Sequence, residues 1–294
     1  MKKLFLYLMI LGLLLSGCRA PADPAQIAAT TLPVYEFTSH LCQGTGITVT
    51  RLVTESVSCL HDYTLQVSQM RAIESAETVV ISGAGLEEFL EDTLKTATHT
   101  IDASAGLELL CPEGEPDHDH DHNDHGHHHD QDPHIWLSPL YAAQMAANIC
   151  AGLCEQYPDH ADTFRENLDT LTTDLHNLQA YGEETLAELS CRELVTFHDG
   201  FAYFAENFGL TILEAVEEES GSEAPASELI RLISIVEEHA LPAIFIETNG
   251  SDAAARIISA ETGAKICALD MAMSGDSYFE AMYRNIDTIK EALG

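Results

Sequence analysis

The chain is short of positive charge. Only 13 of its 294 residues are lysine or arginine, against 48 aspartates and glutamates, and the formal net charge is -35. Phosphate contacts depend on lysine and arginine, so this balance excludes nucleic acid as a partner. It leaves an acidic surface that keeps a protein soluble and draws cations weakly. Long apolar runs are equally scarce. The one at Leu4–Leu15 falls short of the ~20 residues a membrane-spanning helix needs. The eight cysteines contain no CxxC pair, so they carry no dithiol motif. No nucleophile motif with an obvious partner base is present, which argues against an enzyme.

What is present begins at the amino terminus. Lys2 and Lys3 precede the apolar Leu4–Leu15 stretch, and "LSGC" follows at 15–18. This pattern reads as a secretory signal over residues 1–17. It resembles a bacterial lipobox, which implies cleavage before Cys18 and a lipid on that thiol. A lipidated tether over 18–25 and an extracytoplasmic, membrane-anchored protein are therefore expected. Seven cysteines remain, an odd number, so at least one is unpaired. Most read as small buried apolar residues. A disulfide between Cys59 and Cys111 is the one alternative pairing, since export permits disulfides.

From residue 26 the chain alternates strand-like and helical stretches: "IAATTLP" then "VYEFTSHLC", "ETVVISG" then "GLEEFLEDTLKTA". Such alternation predicts parallel βα units. An N-terminal α/β lobe is expected over 26–116, a His/Asp-rich loop over 117–133, and a helix completing that lobe over 134–157. Apolar residues at 161, 164, 168, 171, 175 and 178 then mark one face of a long helix, placed at 158–190 with Asp159 as its N-cap. Alternation resumes in a C-terminal α/β lobe, 191–294. Two α/β lobes joined by one long linking helix create a cleft, because ligands bind beyond the carboxyl ends of parallel strands.

Four polar residues are expected at those ends: His61, His134, His198 and Asp270, two from each half. Neutral imidazole and carboxylate are good zinc ligands in tetrahedral geometry. Asp62, Asp132 and Asp199 neighbour the three histidines and are candidates to accept the second ring N–H. Glu247 competes with Asp270 for the fourth position. Taken singly, each of these is better read as a surface or capping residue; the argument rests on their convergence.

The segments "CLHDYTLQVSQ", "DPHIWLSP", "FHDGFAYFAENFGL", "AIFIETNGSDAAARIISAETGAKICALD" and "SYFEAMYRNIDTIKEAL" resemble the metal-binding lipoproteins of bacterial ABC importers, the ZnuA/TroA-like cluster. The resemblance covers nearly all of the mature chain. It implies two βα lobes, a rigid linking helix, a metal buried between the lobes and delivery of that metal to the permease subunit of an ABC transporter. The family's ligands carry over onto His61, His134, His198 and Asp270, with water or a glutamate as another fourth ligand. Zinc-type members have histidine where His198 stands and manganese-type members a carboxylate, so Zn²⁺ is the implied ion, in keeping with imidazole's preference for zinc. "ESVSCLHDYTLQVS" lacks the prolines usual around the first ligand, and "LDMAM" replaces the usual "LDPLG" at the last.

Seven further histidines, His118, His120, His122, His125, His127, His128 and His129, alternate with aspartates and lack apolar periodicity. They read as a segment without fixed secondary structure that holds extra zinc loosely. A solvated acidic linker is the plainer reading. The remaining alternatives are a manganese- or iron-binding homologue, a metallohydrolase, which would keep a coordination position open for water, and a surface adhesin, which would show an extended exposed apolar patch. A monomer is expected.

Overall fold

The computed structural model describes residues 26–55, 60, 63–110, 131–216 and 225–294. Cys18, Cys59, His61, Asp62, Cys111 and the seven loop histidines lie outside the described residues.

The first lobe runs β1 (Ile27–Ala29), α1 (Leu32–Leu41), β2 (Val49–Arg51), α2 (Val67–Ser75), β3 (Thr78–Ile81), a short α3 (Glu91–Leu94) and β4 (Thr100–Asp102). Then come α4 (Pro139–Gln156) and the long α5 (Ala161–Thr185). The second lobe runs β5 (Glu193–Thr196), α6 (Ala202–Phe208), β6 (Thr211–Ala215), α7 (Ala226–Glu238), β7 (Ala243–Glu247), α8 (Ala253–Thr262), β8 (Lys265–Leu269) and α9 (Tyr278–Leu293). Each lobe has one four-stranded sheet, in the orders β2-β1-β3-β4 and β6-β5-β7-β8. Every strand pair is parallel. The expected two-lobe α/β architecture is therefore the one observed.

Parallel sheets need cover on both faces, and the strand sequences meet that need. Side chains alternate across a strand. In β1, Ile27 and Ala29 enter the large core while Ala28 faces a smaller cluster with Val79, Ile73 and Leu52. In β7, Ala243 and Phe245 enter the large core and Ile244 faces Val195, Leu232 and Ile258. The large core does not stop at the lobe boundary. Ile27 and Phe37 of the first lobe, Phe164, Leu171, Leu175 and Leu178 of α5, and Phe204, Phe245 and Ile286 of the second belong to one continuous cluster.

Three local expectations need correction. The long helix starts at Ala161, and its N-cap is His160, not Asp159. Pro158 opens a 3₁₀ turn over Pro158–His160, which takes Asp159 inside the turn. The stretch 85–97 is not one helix: a 3₁₀ turn, Glu88–Leu90, precedes the four-residue α3. Its start is diverted because the Glu87 carboxylate turns back to accept from Ser82 N, Gly83 N and the Thr30 hydroxyl. The third concerns the cysteines: Cys42 and Cys150 are buried, whereas Cys154, Cys191 and Cys267 are only half-buried, and all five are free thiols.

Candidate metal centre

His134 precedes a 3₁₀ turn, Ile135–Leu137, whose three side chains are fully buried. That turn anchors the histidine, which is itself 5% exposed. Asp132 holds it twice. One carboxylate oxygen, Oδ1, accepts from the His134 backbone N–H at 2.9 Å and lies 2.8 Å from Nδ1 of the ring. A carboxylate oxygen only accepts, so Nδ1 carries the proton and Nε2 keeps a lone pair for a cation. This is the arrangement expected of Asp132.

His198 lies just beyond β5, with its side chain 18% exposed. Its ring meets that of His134 edge-on, centroids 5.3 Å apart at 82°. The two imidazoles come from opposite lobes. Gly200 allows the chain to pass close to this ring: a Cβ there would lie 2.6 Å from Met271 Cε and 2.7 Å from His198 Cδ2. The 3% exposed Glu247, the last residue of β7, places Oε2 3.5 Å from His198 Nδ1. Burial, and next the negative charge of Asp270, push its carboxyl up to about 8.

Asp270 follows β8 directly. Asn285 on α9 clamps its backbone, accepting from Asp270 N at 2.8 Å and donating to Asp270 O at 2.7 Å. The side chain accepts from Ala272 N at 2.8 Å and lies 3.7 Å from Arg284 Nη1. Among the described residues, no group of three or more His, Cys, Asp or Glu side chains is arranged to hold a metal ion. The structure thus brings His134 and His198 together and sets Glu247 against His198. His61 lies outside the described residues, but the flanks of its segment are tied to α2. Tyr63 donates to Glu55 at 2.7 Å, as does Gln66 Nε2. Gln69 donates to Leu52 O at 2.7 Å and to Tyr63 at 2.6 Å.

Residues not singled out from the sequence also frame the centre. Trp136, the sole tryptophan, donates from Nε1 to Met271 O at 2.7 Å, and Tyr278 donates to Trp136 O at 2.8 Å. The Tyr203 hydroxyl accepts from Leu110 N at 2.8 Å and donates to Asp132 O at 3.1 Å. Their signal was present, since Trp136 is in "DPHIWLSP" and Tyr203 in "FHDGFAYF", but residue type alone does not say which lobe an aromatic hydroxyl or indole will reach. Among the described residues, the large exposed apolar side chains are Val67, Met70, Leu140, Tyr181, Ile230 and Ile257, spread over five helices. No described helix is long and apolar enough to cross a membrane.

The family profile of zinc-uptake complex component A, periplasmic (ZnuA) matches residues 27–292. The zinc-binding lipoprotein AdcA of Streptococcus pneumoniae strain R6 is 32% identical over 99% of this chain and 61% of its own length. The high-affinity zinc uptake system protein ZnuA of Bacillus subtilis strain 168 is 29% identical over 92% of this chain and 88% of its own. A crystal structure of ZnuA superposes with a TM-score of 0.78 at 28% identity, covering 92% of this chain and all of that one. The chain therefore spans less than two thirds of the streptococcal relative.

Proposed function

We propose a function from one premise: the chain belongs to the ZnuA family of periplasmic zinc-uptake components. On this reading the protein captures Zn²⁺ outside the cytoplasm and passes it to the membrane permease of an ABC importer. It is a binding component and not an enzyme, anchored through a lipid on Cys18. Zinc is its cargo. The ligands would be His134 and His198, together with His61 and Asp270. The carrying observation is the pair of imidazoles that meet from opposite lobes, with Asp132 fixing the tautomer of His134. Imidazole nitrogen suits zinc better than the oxygen-rich donors manganese prefers. Relatives whose names specify zinc binding or zinc uptake support the same ion.

The histidines from His118 to His129 would act apart from this centre as a loose, fast-exchanging store. Imidazoles lose ligand capacity as they protonate near pH ~6.5, so this store should empty below about pH 6. Calorimetric titration of the mature protein with and without residues 117–130 tests the separation. One tight zinc per chain should remain after the deletion, with only weak binding lost. Loss of the tight zinc with the loop would mean that the centre is not where the two imidazoles meet.

A further inference from the structure

Beyond the shared apolar core, side-chain hydrogen bonds between the lobes gather on the two arms that carry proposed ligands, and they run in both directions. Tyr203, buried on α6 of the second lobe, reaches the first-lobe arm that carries His134. Its hydroxyl takes the N–H of Leu110 and gives its proton to the carbonyl of Asp132. Asp132 N also donates to Leu110 O at 3.0 Å, so the hydroxyl closes a three-way clasp. Asp132 then holds both the backbone and the ring of His134.

The opposite direction is as well furnished. The stretch from Asp270 to Ser277 belongs to the second lobe, yet first-lobe groups bind it at four points. Trp136 Nε1 donates to Met271 O. Leu32 N donates to Met273 O at 3.3 Å. Arg51 Nη1 donates to Gly275 O at 2.7 Å. Glu36, on α1, accepts from Tyr278 N at 2.6 Å and from the Ser277 hydroxyl at 3.1 Å, at the N-terminus of α9. A carboxylate there meets unsatisfied N–H groups and the positive end of the helix dipole.

We infer that each lobe positions the ligand arm of the other: Tyr203 fixes the Asp132–His134 arm, and Glu36 fixes the Asp270–Ser277 arm. Neither residue touches the cation; both are positioning residues. Docking of the lobes and the geometry of the centre are then one structural event, and a group that pries the lobes apart at Glu36 or Tyr203 releases zinc without competing for it. This rests on the function proposed above.

The test compares mature wild type, Tyr203→Phe and Glu36→Gln, both near-isosteric changes. Zinc release into excess chelator is followed by stopped flow, and the visible spectrum of the Co²⁺-loaded protein reports ligand geometry. Each variant should still take up one zinc and release it about tenfold faster, the effect of one lost hydrogen bond to a strong partner. The Co²⁺ bands should move in both, while the melting temperature of metal-free protein changes by only a few degrees. Release at the wild-type rate with an unchanged Co²⁺ spectrum in either variant overturns the reciprocity. So does a large fall in melting temperature with an unchanged Co²⁺ spectrum, since that marks a merely structural role. A wild-type protein that holds no zinc tightly overturns the proposed function instead.

Discussion

Glu87 shows how a single residue links burial to pH. It is fully enclosed, and burial pushes its carboxyl up to about 7 despite the Thr30 hydroxyl and two N–H donors that favour the charged form. In the unfolded chain it titrates near 4.5. A raised carboxylate stabilises the fold below its unfolded pKa, and that contribution fades as pH rises through the folded value. Metal-free protein should therefore lose roughly 3 kcal/mol through this group between pH ~4.5 and ~7. In chemical unfolding, wild type should lose stability relative to Glu87→Gln between those two values and run parallel to it on either side. Parallel curves throughout would show that Glu87 does not titrate there. Gly200 carries a second prediction. An alanine at this position would press on Met271 and the His198 ring, so Gly200→Ala should weaken zinc binding about tenfold or more, measured by chelator competition. Unchanged affinity would mean the ring has room to yield. At this scale Asp132 was legible, because a neighbouring carboxylate is a plain candidate for a ring N–H. Tyr203 and Glu36 were not, since their partners lie 71 and more than 200 residues away in the chain.

Among the elements, the long helix was the most legible. Its apolar spacing predicted one buried face, and Phe164, Leu171, Leu175 and Leu178 are all fully buried. Its start was less so, because a proline-opened 3₁₀ turn displaced Asp159 from the cap. The strands were placed well because each apolar run is bounded by turn residues, yet the observed strands are shorter, three to five residues. Leu175→Ala should cost about 2–5 kcal/mol, the usual range for a buried leucine, read from denaturant unfolding. A cost below ~1 kcal/mol would contradict the place of α5 in the shared core. Hydrogen exchange along 161–185 should change little on zinc binding, since a helix locked into that core has no hinge. Large changes there would contradict its role as a strut.

For the whole molecule, the decisive feature is that the two lobes share one core and meet at two imidazoles. The alternation of strands and helices foretold two lobes, but not that their apolar surfaces would fuse through side chains of α5 and α9. On the proposed function, a core shared by the two lobes leaves zinc exchange to the ligand arms. The measurement that bears most directly on this account is metal content after stripping and re-equilibration with equal zinc and manganese, on wild type and His198→Ala. One tightly held zinc in wild type, lost in the variant while residues 117–130 remain, is the predicted result. Manganese in wild type, or equal zinc in both proteins, would contradict it: the imidazole from the second lobe would then take no part in holding the ion.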